Sequence, residues 1–402
     1  MQKGYLIIDV YLNTIGEPVE DAEVTISGIN YEHTFRTDMN GQTSTIELNA
    51  PNKEFSLIPQ NKVKPYSTYN VKVSKNGLNT VIIKNVEVFS EETSIQKVFL
   101  HKVSKTEIID LPEHCLWDDC PSKIPENPIK SDNNNELRVL PRVIIPEYIL
   151  VKNGTPTSNA SILVVPFIDY IKNVASSEIY STWHVEAIKA NVHAIVSFTL
   201  NRIFTEWYPS KGNNFTISAS PAYDQKFTPD RTIFQTISDV VDEYFKYYIR
   251  LNGFTQPFFA QYNDGEKTNN AGWLSQWGSQ SLATQGYKAI DILKHYYTSN
   301  LGLYNAEEII GLPNSFPGYS LQIGSCGAYV QKVQTELNRI RANYPGIPAI
   351  SPANGQYNEN TANAVRTFQK VFGLTQNGIV DWATWFKISY VFTAVAKLQS
   401  GV

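Results

Sequence analysis

The amino-acid sequence predicts a multi-domain α+β protein, and three observations support this fold class. The length of 402 residues favours two or three domains. Short β-branched runs separated by turn residues fill the N-terminal quarter, whereas apolar residues recur at three- and four-residue steps in the middle of the chain and near its end. We therefore predict a β-sandwich at 1–101, a linker at 102–145, an α+β domain at 146–317 and a three-helix domain at 318–402.

The composition excludes several functional classes. Hydrophobic residues make up 42% of the chain, and no apolar run is long enough to cross a bilayer, so we expect no membrane span. The N-terminal sequence MQKGYLIIDVYLN lacks a small-residue cleavage site, and we interpret it as a strand rather than a signal peptide. No nucleotide-binding loop, Ser-His-Asp arrangement or nucleic-acid-binding basic run is present. Only three cysteines are present, too few for a disulfide framework, so we expect folding in a cytoplasm.

The N-terminal region has the pattern of an all-β scaffold. Its β-branched runs lie at 5–11, 22–26, 69–73 and 81–83. Turn signals such as Gly16-Glu17-Pro18 and Asn76-Gly77 separate these runs. The sequence from Gly16 to Ile26, followed by the Asp38-x-Asn40-Gly41 turn, resembles transthyretin-like or carboxypeptidase-regulatory-like sandwiches, which implies a structural module.

The linker is rich in proline and polar residues. Within it the sequence HCLWDDC contains His114, Cys115 and Cys120. Structural zinc sites use paired short spacings, and no second pair follows, so we disfavour a metal here. A local disulfide and free thiols both remain open for the two cysteines.

The segment at 181–200, STWHVEAIKANVHAIVSFTL, has helical periodicity. Ser181 and Thr182 are in N-cap positions, which places Glu186 in the opening turns. An acid at this position is commonly a solvated residue favoured by the helix dipole. Lys189 and the helix N-terminus both favour its ionised carboxylate, and only burial against apolar neighbours would oppose this effect.

A series of motifs runs along the middle of the chain. These motifs are EAIKANVHA at 186–194, GWLSQWG at 272–278, ATQGY at 283–287 and ILKHYY at 292–297, preceded by VPFIDYI at 165–171 and ASSE at 175–178. Together they resemble the SpoIID/LytB family of peptidoglycan lytic transglycosylases. They follow the family order across roughly 146 to 305. The resemblance implies cleavage of the MurNAc-GlcNAc bond to give 1,6-anhydro-muramic ends, with one carboxyl group acting first as acid and then as base.

The resemblance also implies site residues. Glu186 is the expected catalytic acid/base, and Glu178 is the second candidate. The expected substrate-binding residues are Asp264, Lys267, Thr268, Trp273, Ser275, Gln276 and Trp277. For the two tryptophans, stacking on sugars and core packing are equally compatible with the sequence. The family continues its helix motif with Arg-Thr where this chain has Val196-Ser197, and Arg202 is a guessed replacement. The central region contains no cysteine, so we expect no metal and no cofactor.

The C-terminal region contains LQIGSCGAYVQ at 321–331, NGQY at 354–357, TANAVRTFQ at 361–369 and GLTQNGIVDWATW at 373–385. These motifs resemble the three-helix peptidoglycan-binding domain, with core positions expected at Val365, Phe368 and Trp385. The order of all segments resembles spore cortex-lytic enzymes of the SleC type. That resemblance implies a zymogen that acts on the spore cortex during germination and is activated by a subtilisin-like protease. The corresponding cleavage site lies at 137–145, and the expected location is the spore cortex or coat region. The alternative is a non-catalytic peptidoglycan-binding or assembly protein, phage-tail or wall-associated.

Overall fold

The structure is a computed structural model that describes residues 2–103, 105–118, 120–124, 126, 142–306, 308–309, 317 and 319–400. The chain divides into two compact units. The first contains Met1–Ala50, Tyr66–Leu111 and Leu312–Val402, and the second contains Pro51–Pro65 and Pro112–Gly311. These units differ from the predicted segments, because the β-sandwich and the C-terminal helices share one unit. Part of the predicted linker joins the α+β domain instead.

The N-terminal part of the first unit is a sandwich of two sheets. Its strands are β1 (Gln2–Leu12), β2 (Glu23–Gly28), β3 (Tyr31–Arg36), β4 (Ile46–Ala50), β5 (Ser67–Ser74), β6 (Thr80–Val88), β7 (Thr93–Leu100) and β8 (Thr106–Asp110). In one sheet β1 pairs antiparallel with β4 and parallel with β7. The other has the order β3-β2-β5-β6-β8. Alternate residues such as Leu6, Val24 and Val71 face a shared core, as the period-two pattern of the predicted runs requires.

The second unit is mixed α+β. Its strands are β9 (Ile144–Ile145), β10 (Tyr148–Lys152), β11 (Ile162–Pro166), β12 (Ile217–Ser218), β13 (Ile233–Phe234), β14 (Tyr247–Leu251), β15 (Tyr262–Asn263), β16 (Leu274–Ser275), β17 (Leu301–Asn305) and β18 (Glu308–Ile309). Its helices are α1 (Phe167–Glu178), α2 (Val185–Phe204), α3 (Gln235–Tyr244), α4 (Gln276–Thr284) and α5 (Ala289–Tyr296). Strand β10 pairs with β11 and β12, while β14 pairs with β17 and β15 with β16. Helix α2 packs against the other four helices and β14.

Helix α2 begins later than the sequence predicts. Its N-cap is His184, whose Nδ1 accepts the Glu186 N–H at 3.2 Å. The prediction of Ser181 and Thr182 as N-caps was wrong, because both side chains face other parts of the fold instead of the first turn of α2. Ser181 is buried, and the Thr182 hydroxyl donates to Ser56 Oγ at 2.7 Å. Glu186 nevertheless lies in the first turn, as predicted.

Three helices complete the first unit. They are α6 (Ala328–Ile340), α7 (Glu359–Val371) and α8 (Trp382–Ser400). The Asn358 side chain caps α7 by accepting the Thr361 N–H at 3.1 Å. Val365, Phe368 and Trp385 are at most 1% exposed, which confirms their prediction as core residues.

The C-terminal helices and the sandwich share contacts within this unit. Tyr11 and Ile15 belong to the same buried cluster as the helical core, and the Tyr344 hydroxyl donates to the Ile15 carbonyl. The Gln42 side-chain amide donates both to the Val371 carbonyl at 3.1 Å and to Asp9 Oδ1 at 2.8 Å. Apolar burial and directed hydrogen bonds therefore both stabilise this unit.

We expect Asp9→Asn to stabilise the first unit at pH 8 but not near pH 4. Burial raises the pKa of Asp9 from 3.8 to about 6, although the Gln42 hydrogen bond opposes this rise. The native state therefore retains a proton that the unfolded state has lost, and stability falls as the pH rises from about 4 to about 6. Asn keeps the acceptor for Gln42 without the buried charge, and the expected gain at pH 8 is about 2–3 kcal/mol.

Calorimetric melting of this variant at pH 4 and pH 8 checks the expectation. Glu47→Gln is the control, because Glu47 forms an exposed ion pair with Lys3 and its removal changes stability little. Equal melting temperatures of wild type and Asp9→Asn at pH 8 would contradict the prediction.

Candidate functional site

A cavity of about 350 Å³ lies in the second unit beside the C-terminal end of α1. The last residue of that helix, Glu178, lines the cavity, as do Tyr262 of β15 and Gln276 of α4. Strands β15 and β16 are parallel, with Tyr262 opposite Leu274. Because α4 follows β16 directly, this pairing brings Gln276 close to Tyr262. Residues far apart in sequence thus meet around one carboxylate.

Glu178 is 5% exposed, and both of its carboxylate oxygens accept hydrogen bonds. Oε1 accepts the Lys226 N–H at 2.9 Å and the Tyr262 hydroxyl at 3.2 Å. Oε2 accepts the Gln276 side-chain amide at 3.2 Å. Burial, followed by the charge of Glu178, raises the pKa of Tyr262 well above its usual value. The tyrosine is therefore a lasting hydrogen-bond donor, and the carboxylate is held in one orientation.

The loop after β15 forms another wall of the cavity and contains three predicted site residues. Asp264 Oδ1 accepts the Thr268 N–H at 2.9 Å, and its Oδ2 accepts the Lys267 N–H at 3.2 Å. Gly265, the residue after Asp264, has a φ of +84°, and a Cβ at this position would lie 1.8 Å from Ser275 Oγ. Only glycine fits there. Asp264, Lys267 and Thr268 all line the cavity.

Three other predicted binding residues have different surroundings. Ser275 is the N-cap of α4 and accepts the Gly278 N–H at 2.9 Å. Trp277 is 9% exposed and packs against Trp183, with ring centroids 4.9 Å apart. Trp273 is half-buried. None of these three is among the residues that line the cavity, and the contacts of Trp277 are those of a core residue.

Glu186 also lies outside the set of residues that line the cavity. Its Oε2 accepts the N–H of Ala289, the first residue of α5, at 2.9 Å, and its Oε1 lies 3.3 Å from Lys189 Nζ. Burial acts to raise the pKa of Glu186, but the Ala289 hydrogen bond and Lys189 together outweigh it, and the net pKa is lowered. Glu186 thus serves as an ionised partner of the α5 N-terminus.

Lys123 lines the cavity, although no sequence pattern predicts it as a site residue. Its Nζ donates to the Asp224 carbonyl at 2.6 Å and lies 3.9 Å from the centroid of the Tyr262 ring. Burial lowers the pKa of Lys123 to about 8, although the negative charge of Glu178 opposes this shift. A single lysine in a proline-rich linker carries no pattern that predicts such a position.

The same linker segment contains a disulfide. Cys115 and Cys120 are bonded, with their Cα atoms 5.3 Å apart, and both line the cavity. This decides between the disulfide and the free thiols that the sequence left open. His114 is fully buried, and its Nε2 lies 3.2 Å from the Ile179 carbonyl.

Arg202 is a structural residue. Its Nε donates to Asp224 Oδ1 at 2.8 Å, and its Nη1 donates to Glu126 Oε2 at 2.9 Å. The side chain is 1% exposed and does not line the cavity. Its contacts are those of a buried ion-pair network, and whether it replaces the arginine of the family motif stays a prediction.

Within the described residues, no group of three or more His, Cys, Asp or Glu side chains is arranged to hold a metal ion. His184 is used as the α2 cap. His193 is 2% exposed, and burial lowers its pKa to about 4.

Residues 326–388 match a family model described as a putative peptidoglycan binding domain. The match includes all of α6 from Ala328, all of α7 and the first part of α8. No curated protein matches the chain. None of the helices formed by the described residues is long and apolar enough to span a bilayer. The chain thus contains a peptidoglycan-binding domain, which indicates a cell-wall-associated protein with peptidoglycan as its partner.

Proposed function

We propose that this protein is a peptidoglycan lytic transglycosylase that uses Glu178 as its acid/base. The observation that supports this most strongly is a buried carboxylate on the cavity wall, oriented by Tyr262, Gln276 and the Lys226 N–H. The SpoIID-like motifs place the same residue within the resemblance, at the end of ASSE. Glu186, which the sequence resemblance makes the first candidate, is the second candidate in this proposal, because it lies within the longest of those motifs.

In the proposed reaction the Glu178 carboxyl donates its proton to the oxygen that links MurNAc to GlcNAc. The bond from MurNAc C1 to this oxygen breaks, and positive charge develops on the MurNAc ring. The C6 hydroxyl of the same sugar then attacks C1, and its proton passes to the Glu178 carboxylate. This restores the acid and gives a 1,6-anhydro end without consuming water.

Other cavity residues have positioning roles in this proposal. Gln276 and Tyr262 orient the carboxylate, and Tyr262 also presents an aromatic face. The loop closed by Asp264 presents Thr268 and Lys267 to hydroxyl and carboxylate groups of the glycan. The C-terminal domain keeps the enzyme on the polymer, which raises the effective substrate concentration at the cavity.

We further propose that the chain is a zymogen that acts on the spore cortex during germination. A subtilisin-like protease would cut it at 137–145, in agreement with the segment order described above. Of this range, 137–141 lies outside the described residues, whereas Ile144–Ile145 forms strand β9. The proposed location is the spore cortex or coat region.

Digestion of cortex peptidoglycan by a chain cut at a protease site inserted at 132–135 tests the reaction. Mass analysis of the released fragments is expected to show anhydro-muramic ends. Reducing ends would indicate a hydrolase instead. Absence of release by both the cut and the uncut chain would favour the non-catalytic wall-binding or assembly protein, a function that the family match at 326–388 is sufficient to support.

A further inference from the structure

We call the described residues 112–118, 120–124 and 126 of the linker segment the linker arm, which lines the same cavity as Glu178. Near its start the Cys115 N–H donates to the Ser177 carbonyl at 3.2 Å. Near its end the Ile124 N–H donates to the Ala222 carbonyl at 2.7 Å. The arm is thus part of the cavity wall itself.

Further contacts fix the arm in place. Arg231 Nη1 donates to the Pro112 carbonyl at 3.3 Å, and Lys267 Nζ donates to the Asp118 carbonyl at 3.2 Å. The Cys115–Cys120 disulfide closes the turn that contains the second of these anchors, Asp118. A cross-linked turn loses less conformational entropy on docking than an open one.

Lys123, near the end of the arm, adds a cation to the cavity wall. Its ammonium lies against the Tyr262 ring and the Asp224 carbonyl, at 3.9 and 2.6 Å. Of the charges around it, Glu178 is the one that most favours the ammonium form. An aromatic face, a carbonyl oxygen and a carboxylate together form a cation site.

A glycan that reacts in this cavity also develops positive charge, on the sugar ring next to the acid/base. A site that stabilises this positive charge in the transition state must offer negative or π-rich groups next to the sugar ring. In the uncut chain the Lys123 ammonium interacts with groups of this kind, namely the Tyr262 ring, the Asp224 carbonyl and the Glu178 carboxylate. The ammonium and the reacting ring therefore compete for one place.

We propose that the linker arm is an intramolecular inhibitor, in which Lys123 occupies the subsite that takes the positively charged sugar ring during cleavage. This inference rests on the proposed function, since it assigns the regulation of the same cavity. The arm precedes the proposed cleavage segment at 137–145. A cut there removes the covalent connection between the arm and the helices that follow, so the arm is able to leave the cavity.

The test measures glycan binding in the cavity without turnover. The probe is a thio-linked GlcNAc-MurNAc tetrasaccharide, which resists cleavage, and the readout is protection of 258–276 from hydrogen exchange. This segment reports the cavity and not the C-terminal domain. Three full-length samples are compared: uncut wild type, wild type cut at a site inserted at 132–135, and uncut Lys123→Met.

We expect the cut chain and Lys123→Met to reach half-saturation at a probe concentration at least about tenfold lower than uncut wild type, because only the arm-free fraction binds. Lys246→Met is the matched control, since Lys246 lies over the Tyr247 ring away from the cavity-lining residues. It should behave as wild type. The cut wild type carries no substitution in the arm, so the comparison stands even if Lys123→Met fails to fold.

Equal half-saturation in the uncut, cut and Lys123→Met chains would overturn the inference. Tighter binding by the cut chain, without glycan release from natural peptidoglycan, would support the inhibitory arm and refute the proposed reaction. Equal glycan release by cut and uncut chains would overturn the inhibitory role while the reaction stands.

Discussion

Glu178→Gln is expected to lower the rate of glycan release by the cut chain about 10²–10⁴-fold, the usual contribution of a general acid/base. Gln has the shape of Glu and still accepts the Tyr262 hydroxyl and the Lys226 N–H, but it has no proton to donate to the glycosidic oxygen. Binding of the thio-linked tetrasaccharide should change less than the rate, because the loss is specific to the transition state. Initial rates of muropeptide release, set against probe affinity, separate the two effects.

Glu186→Gln is the matched comparison, since it makes the same chemical change eight positions along the chain. We expect its rate to stay within about threefold of wild type, because the residue lies outside the set that lines the cavity. The substitution should instead lower the free energy of unfolding by about 0.3–1 kcal/mol, because a negative charge at the α5 N-terminus is lost. If Glu186→Gln abolished release and Glu178→Gln did not, the original assignment from the sequence would be the correct one.

The two glutamates show how far the sequence determines the site. Each lies near a helix end, and helical periodicity alone cannot tell which one faces a cavity. That distinction depends on the β15–β16 pairing, which brings Tyr262 and Gln276 to Glu178. In contrast, four strands of the sandwich (β1, β2, β5 and β6) were predictable, because the period-two alternation is a local property. Strands β3, β4, β7 and β8 were not predicted, and β8 lies within the segment predicted as a linker.

The remaining discrepancies have the same physical origin. The start of α2 was misplaced because Thr182 bonds to Ser56, which is distant in sequence. Trp277 was ambiguous between stacking on sugars and core packing until its contact with Trp183 was known. Lys123 had no sequence signal at all, since its role depends on an aromatic ring far along the chain. Local patterns therefore predicted elements, whereas long-range contacts determined the site.

Asp224→Ala is expected to destabilise the second unit by about 3–5 kcal/mol, the typical cost of removing one partner of a buried ion pair. Asp224 is fully buried and accepts hydrogen bonds from Arg202 Nε at 2.8 Å, from the Tyr208 hydroxyl at 2.6 Å and from the Ser218 hydroxyl at 2.6 Å. The alanine variant leaves all three donors without this acceptor. Urea unfolding followed by tryptophan fluorescence measures the loss.

A control variant and a milder variant show whether the hydrogen bonds around Asp224 have a structural or a chemical role. Glu113→Gln weakens the partly exposed Lys64–Glu113 pair of the same unit, and its expected cost is at most about 1 kcal/mol. Asp224→Asn keeps an acceptor and the side-chain shape, so enough protein should remain folded to measure glycan release. Because Arg202 does not line the cavity, the rate per folded molecule should stay within about threefold of wild type. A much larger loss of rate at unchanged stability would instead mean that the Arg202–Asp224 pair acts on the glycan itself.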